Sequence, residues 1–236
     1  MRVLALDTTT RAGSVALVED DRVIDERPGD PSRTHGERLP AELAQLGAAW
    51  DTIDVFAVAS GPGSFTGLRI GIATMQGLAL VNNRRLAAVS ALEALAQLAG
   101  EQLAPGALAA SWIDAQRGDV FSALYQITDA PLFTPERLVE REAPSVASPS
   151  FTLSAWSDYD LRAAIFAGDG AERYASAIGA GDSGPRMAAP RLLAGAIGRM
   201  AAVNASRGQT LSPAGIHPLY VRRPDAELAR EQTRVR

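Results

Sequence analysis

A short apolar strand, Val3-Leu4-Ala5-Leu6, closes on Asp7 and turns at once, through residues 8–13, into a second strand at 14–18. Glu19-Asp20-Asp21 turns the chain again into a third strand at 22–26. Two hairpins in succession require an antiparallel opening. They exclude a dinucleotide-binding start, in which a glycine-rich loop feeds a helix directly after the first strand. The device recurs: residues 108–113 form a strand ending at Asp114, Gln116-Arg117-Gly118-Asp119 turn it, and 120–127 return with strand alternation. Repetition of strand, aspartate, glycine-containing turn and strand predicts two similar lobes with a cleft between them. The competing reading is that two strands merely happen to end in aspartate.

Between the hairpins the chain changes period. Thr34 and Glu37 form a capping box, and Leu39, Leu43 and Leu46 continue at helical spacing, which predicts a helix over 34–48. A dense apolar strand at 55–59 breaks at Ser60-Gly61-Pro62-Gly63-Ser64 into a helix over 65–80. A strand at 86–89 leads to a helix opened by Ser90 and Glu93, and Pro105-Gly106 closes the unit. This is a mixed sheet with helices against it. In the second half, Pro131 and Pro135 make a strand at 134–142 ragged, and 143–157 reads as a loop or a short helix. A strand at 163–167 runs into Gly168-Asp169-Gly170, a short helix is expected at 171–178, and Pro190 opens a helix to 206. The expected organisation is an α/β chain with an N-terminal lobe over 1–105, a C-terminal lobe over 106–221 and a partly mobile tail over 222–236.

Composition removes several functions. The 236 residues carry a formal net charge of -4, which argues against a stand-alone nucleic-acid grip. Cysteine is absent, so disulfides, thiolate zinc sites and thiol nucleophiles are excluded. No secretory leader is visible, and the most apolar stretch, 68–81, is interrupted by Arg69 and Gln76. The expected location is the cytoplasm, away from membrane.

The most informative stretch is residues 60–77, SGPGSFTGLRIGIATMQG. Gly67 and Gly71 lie on one face of the expected helix, and each costs about 1 kcal/mol relative to alanine. Such a cost needs close approach of another backbone, either this chain's own sheet or a second protein. The amides at the helix start suit an anion. No lysine stands where a Walker A loop requires one. Arg69 suits a phosphate, a partner carboxylate or solvent.

Four motifs, ALDTTTRAGSVAL at 5–17, GPGSFTGLRIG at 61–71, DAQRGDVF at 114–121 and HPLYVRRPDAE at 217–227, resemble the bacterial TsaB family, also called YeaZ. The resemblance implies a two-lobed, actin-like or sugar-kinase-like ATPase fold with a degenerate nucleotide site. It implies a non-catalytic subunit that works with TsaD and TsaE to form N6-threonylcarbamoyladenosine at tRNA position 37, with catalysis in TsaD. TsaD would be met as a heterodimer, TsaE and tRNA through that complex, and a homodimer would form in isolation. No intrinsic cofactor is implied; ATP or ADP with Mg²⁺ belongs at or near the complex interface. In the implied cleft, Asp7 and Asp114 would face Mg²⁺ through water, Thr8 and Thr9 would cradle phosphate, and Asp169 would approach a nucleotide. Phe65, Gly67, Leu68, Gly71, Ile72 and Met75 would form the partner contact. TsaD relatives pair two histidines four residues apart on a helix, whereas residue 39, four after His35, is leucine. His35 then reads as a surface or capping residue, and His217 orders the C-terminal turn. The alternative function is an autonomous ATPase or peptidase-like enzyme, although neither His-Glu-x-x-His nor Gly-x-Ser-x-Gly is present.

Overall fold

The structure, a computed structural model, describes residues 1–181 and 184–221. Its first sheet contains β1 (Arg2–Asp7), β2 (Ser14–Glu19), β3 (Arg22–Pro28), β4 (Val55–Gly61) and β5 (Arg85–Ser90), in the order β3-β2-β1-β4-β5. Its second contains β6 (Leu108–Asp114), β7 (Val120–Ile127), β8 (Leu138–Ala147), β9 (Ile165–Ala167) and β10 (Arg186–Met187), in the order β10-β9-β6-β7-β8. In each sheet the first strand pairs antiparallel with the second and parallel with the fourth. The second pairs antiparallel with the third, and the fourth parallel with the fifth. One topology is therefore written twice. Asp7 and Asp114 end the corresponding central strands, paired with Ser14 and Val120 across the two hairpins.

Seven helices among the described residues cover these sheets: α1 (His35–Gln45), α2 (Phe65–Val81), α3 (Ala91–Ala99), α4 (Pro149–Ala155), α5 (Asp169–Arg173), α6 (Ala175–Ile178) and α7 (Ala194–Ser206). The period-two alternation of β1 decides where they go. Leu4 and Leu6 point to α1 and α2, meeting Leu39, Leu43, Ile72 and Met75. Val3 and Ala5 point the other way, onto α3 and α7, which fill the space between the sheets. On the far side of the second sheet, Trp112 and Phe166 meet edge to face at 5.5 Å, beside Trp156. The inner face of the first sheet is rich in alanine (Ala5, Ala16, Ala57, Ala59, Ala87), so α7 can lie close upon it.

The element types follow the sequence closely, but several boundaries move, and the one short helix expected at 171–178 is two, α5 and α6. Helix α7 starts at Ala194 rather than Pro190 because its first amides are taken by the first sheet: Ala194 N–H donates to Ser14 Oγ at 3.0 Å and Gly195 N–H to Glu26 Oε1 at 2.6 Å. The ragged strand is β8, which begins only after Pro135 opens a 3-10 turn. Residues 143–157, read as a loop or short helix, supply the end of β8 and all of α4. Pro144 is tolerated because β8 is an edge strand. The tail expected to be mobile, 222–236, lies outside the described residues. No helix among the described residues is long and apolar enough to cross a membrane.

Candidate functional site

The two hairpin turns meet over a cleft of about 960 Å³, closed by the start of α2, by α5 and by the returning residues 219–221. Asp7 is buried beneath it. Its Oδ1 accepts from the Thr9 amide at 2.8 Å and the Thr9 hydroxyl at 2.6 Å, a side-chain turn that shapes the hairpin. Burial raises the Asp7 carboxyl above the usual carboxylate range, the Thr9 bonds oppose this, and the charge of Asp169 adds to it. Asp169, opening α5, accepts the Asp114 amide at 3.0 Å; burial again raises its carboxyl, partly offset by that amide. Asp114 accepts from the Gln116 amide at 3.1 Å and side chain at 2.8 Å, and faces the Arg173 guanidinium at 3.4 Å.

The structure thus brings Asp114 and Asp169 to one end of the cleft, with Asp7 buried behind them close enough to feel the charge of Asp169, and largely engages their oxygens with backbone amides and neighbouring side chains. A second cavity of about 400 Å³ beside α3 is bordered by Asp7, and Asp169 lines both cavities. Thr9 lines the main cleft, whereas Thr8 is turned against α2. Among the described residues no group of three carboxylate or histidine side chains is placed to hold a metal ion.

The desolvated Asp7 carboxylate gives a testable pH effect. Its raised folded-state pKa means that the folded chain holds the proton more tightly than the unfolded chain. Below the unfolded carboxylate range both states are protonated and nothing is lost. As pH rises through that range towards the folded value, stability falls. Asp7→Asn keeps the Oδ1 acceptor without the charge. It is expected to raise Tm at pH 7 and to give no gain at pH 3. Thermal melts at the two pH values check this, and an equal shift at both would contradict it.

A buried network under the first hairpin escaped the sequence reading. His35 is buried, not a surface residue: its Nε2 donates to the Thr10 carbonyl at 3.0 Å while Nδ1 accepts from Arg38 at 2.7 Å. Burial, then the charge of Arg38, lowers its pKa and keeps it neutral near pH 7. Arg38, only 2% exposed, grips both oxygens of Glu42 at 2.6 and 2.7 Å and donates to the Ala12 carbonyl. The available signal was the spacing of His35, Arg38 and Glu42, which places all three on the face that also carries Leu39.

Helix α2 requires a correction. Ser64 caps it, accepting the Gly67 amide at 3.2 Å. Of the six residues expected at a partner contact, Gly67, Leu68, Gly71, Ile72 and Met75 are buried within this chain, and only Phe65 is exposed. A Cβ on Gly67 would strike the Thr8 carbonyl oxygen, and one on Gly71 the Thr8 hydroxyl. The close backbone approach is made by the chain's own first hairpin. The outer face instead presents Phe65, Arg69, Ala73, Gly77, Leu80 and Val81, the last two 72% and 84% exposed. At its start, the Arg69 guanidinium lies 4.0 Å over the Phe65 ring and its Nε donates to Tyr220 Oη at 3.0 Å. Tyr220 is held there because Leu219 N–H donates to the Ser60 carbonyl at 2.7 Å. His217 is exposed on the same returning segment.

Comparison with known proteins agrees with this fold. Residues 27–140, just under half the chain, match the family described as TsaD: tRNA N6-adenosine threonylcarbamoyltransferase. The tRNA threonylcarbamoyladenosine biosynthesis protein TsaB of Escherichia coli (strain K12) is 40% identical over 130 residues, 53% of this chain and 55% of that protein. The match thus spans about half the length of that relative. A Pseudomonas aeruginosa protein described as similar to the peptidase YeaZ superposes with a TM-score of 0.75 at 30% identity, covering 94% of this chain and 99% of the other. YeaZ from Pseudomonas aeruginosa gives 0.73 at 29%, covering 93% and 99%.

Proposed function

Because the chain belongs to the TsaB (YeaZ) family, we propose that it is a non-catalytic partner subunit required, with TsaD and TsaE, for threonylcarbamoyl transfer to tRNA. The observation that carries this reading is the outer face of α2. It presents Ala73, Gly77, Leu80 and Val81 to solvent, beside a helix start already fixed by Thr8 and Ser64. A rigid, apolar helix face is a suitable centre for a protein contact. TsaD covers it in the working complex, TsaE joins through that complex, and two copies of this chain pair over the same face in isolation. The inward-turned aspartates support a framework role over turnover. Any ATP or ADP with Mg²⁺ then acts at or near the complex interface, and tRNA is modified at a centre in TsaD.

Reconstitution tests the proposal. Unmodified tRNA, threonylcarbamoyl-adenylate, ATP, TsaD and TsaE are combined with or without this chain, and the modified nucleoside is measured by mass spectrometry. Modification is expected only when the chain is added to TsaD and TsaE. Equal modification without it, or modification and ATP hydrolysis by the chain alone, would overturn the reading and favour an autonomous enzyme.

A further inference from the structure

One lip of the main cleft differs chemically from its aspartate end. Phe65 and Tyr220 face each other there with ring centroids 5.3 Å apart and planes inclined by 30°, each 39% exposed. Arg69 fixes both, covering one face of Phe65 and bonding the Tyr220 hydroxyl. This is an ordered aromatic surface with a guanidinium edge, open to a cavity large enough for a nucleotide.

The charge of the lining points the same way. Although the whole chain is net negative, the cleft is lined by Arg11, Arg33, Arg117 and Arg173 against Asp114 and Asp169. Asp114 is matched by Arg173. Arg11 and Arg33 are steadied by backbone carbonyls, of Pro31 at 2.8 Å and Glu37 at 3.2 Å, and remain exposed. The same cleft is lined by the N-terminus of α2, where negative charge is favoured, although its Gly67 amide is already taken by Ser64 Oγ at 3.2 Å. Exposed aromatic faces accept stacked nucleobases, and arginines lining the same cleft can hold the phosphate.

We propose that this lip binds a nucleoside 5′-phosphate unit, its base stacked on Tyr220, which Phe65 and Arg69 brace, and its phosphate towards Arg11 and Arg33. The site is separate from the aspartate end of the cleft, where carboxylates would repel a phosphate. The unit has two sources, a free nucleotide or an unpaired residue of an RNA loop. The inference goes beyond the proposed function, in which tRNA reaches this chain only through the complex. It does not require TsaD.

The test uses the full chain alone. Binding of AMP by calorimetry, and of a fluorescein-labelled single-stranded RNA hexamer and a matched duplex by anisotropy, is compared for wild type, Tyr220→Ala, Tyr220→Phe and Arg11→Ala. Circular dichroism checks that each variant folds. Tyr220→Ala is expected to weaken binding roughly 5- to 150-fold, the effect of losing one stacked base. Tyr220→Phe, which keeps the ring, should retain most of the affinity. Arg11→Ala should reduce the salt dependence of RNA binding by about one phosphate contact. AMP bound as tightly as the hexamer identifies the free nucleotide, and a hexamer bound far more tightly than AMP identifies RNA; both support the site. No binding of either, preference for the duplex, or a folded Tyr220→Ala with undiminished affinity would overturn it. Loss of TsaD capture by Tyr220→Ala with unchanged nucleotide and RNA affinity would also overturn it, marking a protein contact instead. Reconstitution in the preceding test does not depend on this result, so the two proposals fail separately.

Discussion

Gly67→Ala is expected to lower Tm by about 6–12 °C, corresponding to roughly 3 kcal/mol, the upper range for overpacking a filled site. The added methyl would lie against the Thr8 carbonyl oxygen, nearer than 3.0 Å. A backbone oxygen cannot rotate away as a side chain can, so either α2 or the first hairpin must move. The hairpin has little freedom, since Thr9 is bonded to Asp7, and His35 and Arg38 hold the carbonyls of Thr10 and Ala12. Gly71→Ala should cost less, because its nearest neighbour is the Thr8 side chain. Gly77→Ala is the control: nothing lies within 4 Å of that position, and the change should stabilise by up to about 1 kcal/mol through helix propensity. Thermal melts followed by circular dichroism rank the three. Gly67→Ala melting with wild type would refute the packing described for α2.

Ala73→Glu should weaken association at least about 30-fold, close to 2 kcal/mol, while leaving the melting temperature almost unchanged. Ala73 lies on the exposed stripe that ends at Leu80 and Val81, and its replacement meets no buried neighbour in this chain. A carboxylate at the centre of an apolar contact must be desolvated without a partner. Light scattering reads the homodimer and calorimetry reads capture of TsaD. A folded variant that binds both as wild type does would place the contact elsewhere. The same experiment separates the two faces of α2: changes on the inner glycine face should lose folding, changes on the outer face only association.

The duplicated topology was legible because each hairpin carries its own local evidence, an apolar strand, a terminal aspartate and a glycine turn. The α2 boundaries were legible for a similar reason, since a serine cap and a broken strand are adjacent in sequence. What Gly67 and Gly71 approach was not. Spacing reports that a helix face lacks side chains, but not whether Thr8, some sixty residues earlier, occupies the space. The same limit hid the engagement of Asp169 by the Asp114 amide and the start of α7, both fixed by partners distant in sequence. His35 was misjudged because a lone histidine at a helix start usually faces water. Its burial depends on Arg38 spanning from α1 to the hairpin and on the bare Gly67 surface, which lets α2 close over the ring.

The placement of α7 bears on how the chain is made. The face of the first sheet formed by Val3, Ala5, Ala16 and Val18 is covered by a helix synthesised more than a hundred residues after the last strand of that sheet. At a translation rate of about 5–20 residues per second, that interval is roughly 6–23 s. During it, the nascent first half has its strands, its outer helices and α3, but not the α7 cover over β1 and β2. Ser14 and Glu26 wait with unfilled acceptors for the amides of Ala194 and Gly195. The order of emergence from the ribosome is therefore not the order of completion, and a chain stopped before residue 194 would leave its first sheet sticky on one side, a substrate for chaperones or proteases.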